Sequence, residues 1–174
     1  MSHRLFGELG TLYSDEGLES GGKAKPYVEL SNPLGSFSFV QWGLLAEGSA
    51  FRRGDLNWIV RPKWEAGVGL PRYQLFELGG PKLRGYSFQT FRTDHYFAVQ
   101  NDFVPVALRL GNALTMRPFA FADWAYIDDG GRTGAGVGVR LFFRHVAVPA
   151  LEISGGYGFR PAGFSIAAAV GPAF

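Results

Sequence analysis

Between Gly163 and Phe174 the residues sort by parity. Even positions Phe164, Ile166, Ala168, Val170, Pro172 and Phe174 are apolar, and odd positions Gly163, Ser165, Ala167, Ala169, Gly171 and Ala173 are small. Successive side chains of a strand point to opposite faces, so this stretch reads as one strand with a greasy face and a nearly bare one. The same period recurs upstream. In 149–160, Leu151, Ile153, Tyr157 and Phe159 share one face and Glu152, Ser154, Gly156, Gly158 and Arg160 the other. In 134–144, Ala135, Val137, Val139, Leu141 and Phe143 oppose Gly134, Gly136, Gly138 and Arg140. In 56–66, Leu56, Trp58, Val60, Pro62 and Trp64 oppose Asn57, Ile59, Arg61, Lys63 and Glu65. Residues 36–50, 93–106 and 114–127 are further strand candidates; 3–13 and 25–31 are weaker ones. A change of parity near Val40 predicts a bulge, and alternation falters around Asn101 and Asp102. Turn residues at 52–55, 110–113, 128–132 and 160–163 separate the strands, and one long connection runs over residues 67–92. No segment has a helical period and none reads as a linker, so residues 1–174 are expected to form one domain.

A soluble sandwich also alternates. Here, however, the polar faces combine glycine with charge, as a crowded wet interior does. The apolar faces carry Trp58, Trp64, Trp124, Tyr126 and Tyr157, several of them near strand ends, in the manner of interfacial girdles. A strand of about 11 residues tilted near 45° spans about 25 Å, the height of an outer-membrane apolar band. The expected fold is therefore all-β: an antiparallel transmembrane β-barrel of the bacterial outer membrane. The chain supplies about eight strands to it, or nine if both weak ones form.

Composition then removes several classes of chemistry. Of 174 residues, 47% are hydrophobic and only 18% charged, with 25 glycines and 16 phenylalanines. A net charge of +2 gives no electrostatic case for nucleic acid. The absence of cysteine excludes disulfides and thiolate metal sites. No apolar run reaches the roughly 18 residues of a membrane helix. The opening MSHRLFGELG lacks the apolar core and cleavage site of a secretory signal, so export calls for a signal upstream or already removed. His3, His95 and His145 have no metal-ligand spacing with one another or with carboxylates. His95 lies near Ser87 and Asp94, but no flanking motif supports a nucleophile. The glycine loop LGGPKLRGY is followed by neither Lys-Ser/Thr nor a helix, so it is no phosphate cradle. Neither enzyme activity nor a metal or cofactor is expected. The charges Arg61, Lys63, Glu65, Arg117, Asp123, Arg140 and Glu152 read as pairs across a wet interior, with a selectivity filter as the alternative.

The stretch LPRYQLFELGGPKLRGY (70–86) is followed by PFAFADWAY (118–126), GAGVGVRLFF (134–143) and two closing strands. In that order they resemble the C-terminal barrel region of the outer-membrane insertase and surface-antigen superfamily, the group of BamA, TamA, the two-partner-secretion transporters and the patatin-linked barrels. The likeness covers residues 36–174; residues 1–35 match poorly, and the periplasmic repeat domain that usually precedes such barrels is not among these residues. The resemblance implies that the long loop folds inward, with Arg84, Gly85 and Tyr86 at its tip and Gly79 and Gly80 at its turn. It implies that Phe121 and Asp123 stand in the family's Phe-x-Asp strand, Arg140 in its Gly-x-Gly-x-Arg strand, and Phe174 as the terminal assembly signal. Two positions depart from the pattern: Ala125 replaces a glycine, and 93–106 lacks an inward glutamate, with Asn101 or Asp102 in its place. Parity turns Asp123 inward with Arg117 and Phe121, so an inward Arg84 is expected to pair with it and lock the loop to the wall. The implied function is insertion of outer-membrane proteins or translocation of polypeptides through a weak seam. A passive pore or structural barrel is the alternative. Its partners would be outer-membrane lipid and client outer-membrane or secreted polypeptides. An inward loop and an eight-stranded wall compete for one volume. The chain is therefore expected to be half of a roughly sixteen-stranded barrel or to form a homodimer, not a closed monomer.

Overall fold

The computed structural model describes residues 2–15, 18–31, 38–88, 90–128, 130–143 and 151–170. Its strands are β1 (Ser2–Phe6), β2 (Leu9–Asp15), β3 (Leu18–Ser31), β4 (Val40–Arg53), β5 (Leu56–Val68), β6 (Phe76–Leu78), β7 (Phe91–Thr93), β8 (His95–Val104), β9 (Leu108–Leu110), β10 (Leu114–Ile127), β11 (Gly130–Phe143), β12 (Leu151–Phe159) and β13 (Ala162–Val170). Only two short 3₁₀ turns, Arg72–Gln74 and Gly80–Lys82, interrupt this all-β pattern among the described residues. Eleven strands form one sheet in the order β1-β3-β4-β5-β8-β10-β11-β12-β13, and β6 and β7 form a separate pair. Every pairing is antiparallel. Because β1 and β2 both lie along β3, and β8 and β9 both lie along β10, the sheet has nine lanes.

The antiparallel all-β fold is the one alternation predicts, but the sheet does not close into a barrel. Its two ends, β1 and β13, are not paired with each other. Several strand limits also differ from expectation. The weak candidate 25–31 is the end of a 14-residue strand, and 3–13 is an edge broken at Gly7 and Glu8. The 93–106 candidate stops at Val104, before Pro105, which has no N–H to give a ladder. The bulge is not near Val40: register with β5 shifts between Ser49 and Phe51, so that Ala50 is the extra residue. That insertion moves Phe51 to the outer face opposite Trp58. Phe174, the expected assembly signal, lies outside the described residues.

The polarity of the two faces is inverted relative to a soluble sheet. Outward residues are the apolar ones and are exposed, among them Trp58 at 46%, Tyr126 at 52%, Val137 at 65% and Ile166 at 72%. Inward residues Asn57, Arg61, Gln100, Asp102, Arg117, Asp123 and Arg140 are buried. Charged side chains are almost never buried unless paired, so this face must satisfy itself internally. The alternation that falters at Asn101 and Asp102 is in fact kept, since Asp102 points inward and the more open Asn101 does not. The connection from β5 to β8 folds back over the inner face. Its Phe76, Leu78, Leu83 and Tyr86 pack against Tyr96, Ala98, Ala125 and Ile127 in one buried cluster. Ala125 is fully buried there, so the methyl that replaces a glycine is taken up by the loop's apolar packing.

The glycines of β11 and β12 have a definite packing role. Register places Phe119, Phe121 and Asp123 of β10 directly opposite Gly138, Gly136 and Gly134 of β11. The rings lie over those glycines: a Cβ on Gly138 would sit 2.5 Å from Phe119 Cζ, and one on Gly156 2.5 Å from Phe121 Cζ. Inserting a methyl into such a contact costs about 1–3 kcal/mol. Gly156→Ala is expected to lower stability in detergent by about that amount and to recover most of it in the Phe121→Leu background. Gly163→Ala, where nothing lies within 4 Å, should be close to neutral. Denaturant unfolding of the four variants checks this; an unchanged cost in the Phe121→Leu background would show that the ring is not what the methyl meets.

Candidate functional site

The loop tip reaches the wall at a floor of glycine. A Cβ on Gly134 would lie 2.0 Å from the Arg84 carbonyl oxygen, and one on Gly158 would lie 2.6 Å from the Tyr86 ring. Gly85 itself has φ +91°, and a Cβ there would meet the Tyr157 carbonyl oxygen at 2.8 Å. Gly79 (φ +114°) and Gly80 (φ +57°) make the turn that precedes it, held by the Gly80 N–H donating to the Tyr86 carbonyl at 2.9 Å. The Tyr86 hydroxyl donates to the Thr133 carbonyl at 2.9 Å and accepts from the Arg160 N–H at 3.1 Å. Backbone approach this close leaves Arg84 one direction in which to extend, into the buried charge layer.

There the structure brings Arg84 and Asp123 together. Arg84 Nε donates to Asp123 Oδ2 at 2.8 Å and Nη2 to Oδ1 at 2.7 Å, a two-pronged pair, and the Arg84 backbone N–H adds a third bond at 3.0 Å. Asp102 forms a second centre. It accepts from Arg84 Nη1 at 2.5 Å, from Arg61 Nη1 at 2.7 Å and from Arg140 Nη2 at 2.7 Å, and it has no solvent exposure. Arg61 continues outward to Glu19 at 2.9 Å and to Glu47, and Arg140 to Glu152 at 2.7 Å. Phe121 stacks beneath the Arg84 guanidinium at 4.3 Å and Phe119 beneath that of Arg140 at 4.1 Å. Burial alone would lower the Arg84 pKa, but the adjoining Asp102 and Asp123 more than offset this and hold it above the ordinary arginine value.

Arg84, Gly85, Tyr86, Phe121, Asp123 and Arg140 thus meet at one place, with Gly79 and Gly80 as the turn that delivers the tip. Two members, Glu47 and Glu19, were missing from the sequence reading, and a third was left undecided. Asp102 had been one of two alternatives, and inward parity decides for it. Glu47 shares the inward parity of β4, and Glu19 sits at the start of a strand whose early residues did not read as one. A smaller polar group lies beside this layer, where Tyr27 and Tyr96 both donate to Glu65. Lys63 donates to Gln100 at 3.0 Å, and Gln100 in turn donates to the Pro81 carbonyl of the loop at 2.6 Å.

His95 keeps its expected neighbour Asp94 and gains Asp128. Its Nδ1 faces Asp94 Oδ1 at 2.6 Å and Asp128 Oδ1 at 3.3 Å. The ligand atoms of Asp94, His95 and Asp128 lie within 4.8 Å of one another, a grouping sequence spacing did not indicate because Asp128 comes from the next lane. All three are exposed, and His95 Nδ1 stands between the two carboxylates.

No family model and no curated protein matches this chain.

The charge layer makes a sharp expectation about the loop. Arg84→Ala and Asp123→Ala should each raise protease access within residues 69–90, and the double variant should be little worse than either single, because each single already breaks the pair and leaves the other charge poorly partnered. Arg84→Lys should rescue only in part, since lysine lacks the planar fork. Asp102→Ala should be the most damaging, at about 3–5 kcal/mol, because it leaves three guanidinium groups without their shared carboxylate. Additive effects of the Arg84 and Asp123 substitutions would show that they act independently.

Proposed function

We propose that this chain is barrel wall from an outer-membrane insertase or translocase, acting on outer-membrane or secreted polypeptides through a yielding seam and not by covalent chemistry. The observation that carries the reading is the inverted sheet with an Arg84-Gly85-Tyr86 loop tip seated on its inner face. An exposed apolar wall bearing Trp58, Trp64, Trp124 and Tyr126 suits lipid. An inner face held by Asp102 and Asp123 suits a lumen. The strand motifs that gave the resemblance, Phe121-Ala122-Asp123 and Gly136-Val137-Gly138-Val139-Arg140, are the elements that build the seat for the loop. Localisation in the bacterial outer membrane follows from the same reading.

A passive pore is the second reading, and one observation favours it. A cavity of about 530 Å³ lies between the loop tip and β12–β13, lined by Arg84, Tyr86, Ser154, Gly156, Ser165 and Ala167 among others. A space of mixed polar and apolar lining beside the loop is where a conduction path would begin.

The protein is expected to partition into detergent or bilayers and to migrate on gels in a heat-dependent way. Reconstituted in liposomes, it should accelerate the folding of a second, unfolded outer-membrane barrel several-fold over empty liposomes, roughly 1 kcal/mol or more off the barrier. Ion conductance without acceleration would decide for the pore, and a folded monomer in plain buffer would remove the membrane reading altogether.

A further inference from the structure

Eight antiparallel pairings join the nine lanes. Eight reversals return the chain to its starting direction, so the β1–β2 edge and the β13 edge run the same way. Joining them, within one chain or between two copies oriented alike in a membrane, would create parallel seams. Bacterial single-chain barrels are antiparallel throughout and have an even number of strands, and parallel pairing is slightly the weaker per residue.

We infer that the sheet is completed by an odd number of further strands, from polypeptide outside these 174 residues, antiparallel to β13 at one seam and to β1–β2 at the other. The inference rests on the membrane reading, because it is in lipid that an unpaired row of N–H and C=O groups is untenable. The segments outside the described residues cannot supply a lane. The longest, 144–150, joins β11 to β12 and is shorter than the roughly 9–11 residues a tilted spanning strand needs.

The edges state what the added strands look like. Along β13 the outward Phe164, Ile166 and Val170 are 66%, 72% and 85% exposed, so the neighbouring strand must carry apolar residues on its outer face. The inner face of β13 offers only Ser165, Ala167 and Ala169, with the 530 Å³ cavity beneath it. The neighbour's inward residues are therefore bulky where they face Ser165 and Ala167. Along the other edge Leu5, Leu9 and Tyr13, each 68% exposed or more, call for the same outward chemistry.

The chain has no cysteine, so Leu5→Cys combined with Ile166→Cys reports contact between the two edges without background. In detergent micelles under oxidant, no disulfide between positions 5 and 166 is expected, within one chain or between two. Amides of β1, β2 and β13 should exchange about tenfold or more faster than those of β10 and β11. In a second pair of variants, one or two amphipathic strands copied from Leu151–Phe159, with leucine at the copied positions 154 and 156 to supply the bulky inward face, are appended after residue 174. One added strand opposes the edge directions and should slow exchange at both edges; two should not. A 5–166 disulfide in the nine-lane chain, slow exchange at both of its edges, or the same response to one and to two added strands overturns the inference. Detergent partition and heat-dependent migration, scored on the same samples, fail only if the membrane reading fails.

Discussion

A carboxylate enclosed without solvent must find its solvation in the protein, and Asp102 finds it in three guanidinium groups. They come from three separate parts of the chain: Arg61 from β5, Arg84 from the long loop and Arg140 from β11. Desolvating so many charges consumes most of what their attraction returns, so the cluster is a poor source of net stability. Its effect is geometric. Only one placement of the loop brings Arg84 to Asp102 and Asp123 together, and any other leaves charges buried without partners. The penalty for misplacement is thus much larger than the gain from correct placement, and that asymmetry fixes the loop.

The glycine content of β11 and β12 is a consequence of the same constraint. Arg84 can reach the carboxylates only if the loop backbone lies directly on the sheet, and Gly134 and Gly158 remove the side chains that would hold it off. One pair deeper, Gly136 and Gly156 receive the Phe121 ring, which in turn supports the Arg84 guanidinium from below. Loop tip, aromatic layer and glycine floor form one stack. A residue chosen for any level limits the choice at the other two, which is why glycine and charge occur together on a face that a soluble sheet would give to ordinary polar residues.

Much of this was legible as alternation, because a period of two survives wherever one face is uniformly apolar. Residues 114–127 and 134–143 belong to that group, and parity alone turned Asp123 and Arg140 inward. The reading lost force where the inner face itself carries structure. Asp102 looked like a break in alternation because a charge next to Asn101 obscures which of the two is inward; only its three arginines, distant in sequence, decide it. Glu19 escaped because the residues around it, with Gly21 and Gly22 close by, give no apolar face from which to count. The bulge at Ala50 shifts parity late in its strand, after the stretch that sets the expectation. Open edges were foreseen only as a conflict of volumes. The direction of the two edges depends on the number of lanes, and that number turned on how the weak segments before Ser31 pair.

The interior is not equally tied along the sheet. Lanes from β3 to β12 share ion pairs or the loop's apolar packing. β13, by contrast, carries no charged residue and presents only small side chains to the cavity beside the loop tip. Its hold on the wall is the ladder with β12, nine residue pairs from Leu151–Val170 to Phe159–Ala162. The loop tip is seated on Gly134, Tyr157 and Gly158, so its close packing falls on β11 and β12, while β13 meets the loop through the Gly80–Lys82 turn across the cavity. In the proposed role this boundary has a use. A strand anchored chiefly by its backbone ladder, with no buried charge, exchanges partners at little cost beyond the ladder itself, since each bond broken with β12 or with a neighbour is replaced by one of the same kind. A strand pinned by buried arginines would first have to strand their charges. The immobile charge layer and the uncharged last strand are therefore complementary: the first keeps the loop and the wall in one arrangement while the second remains free to part.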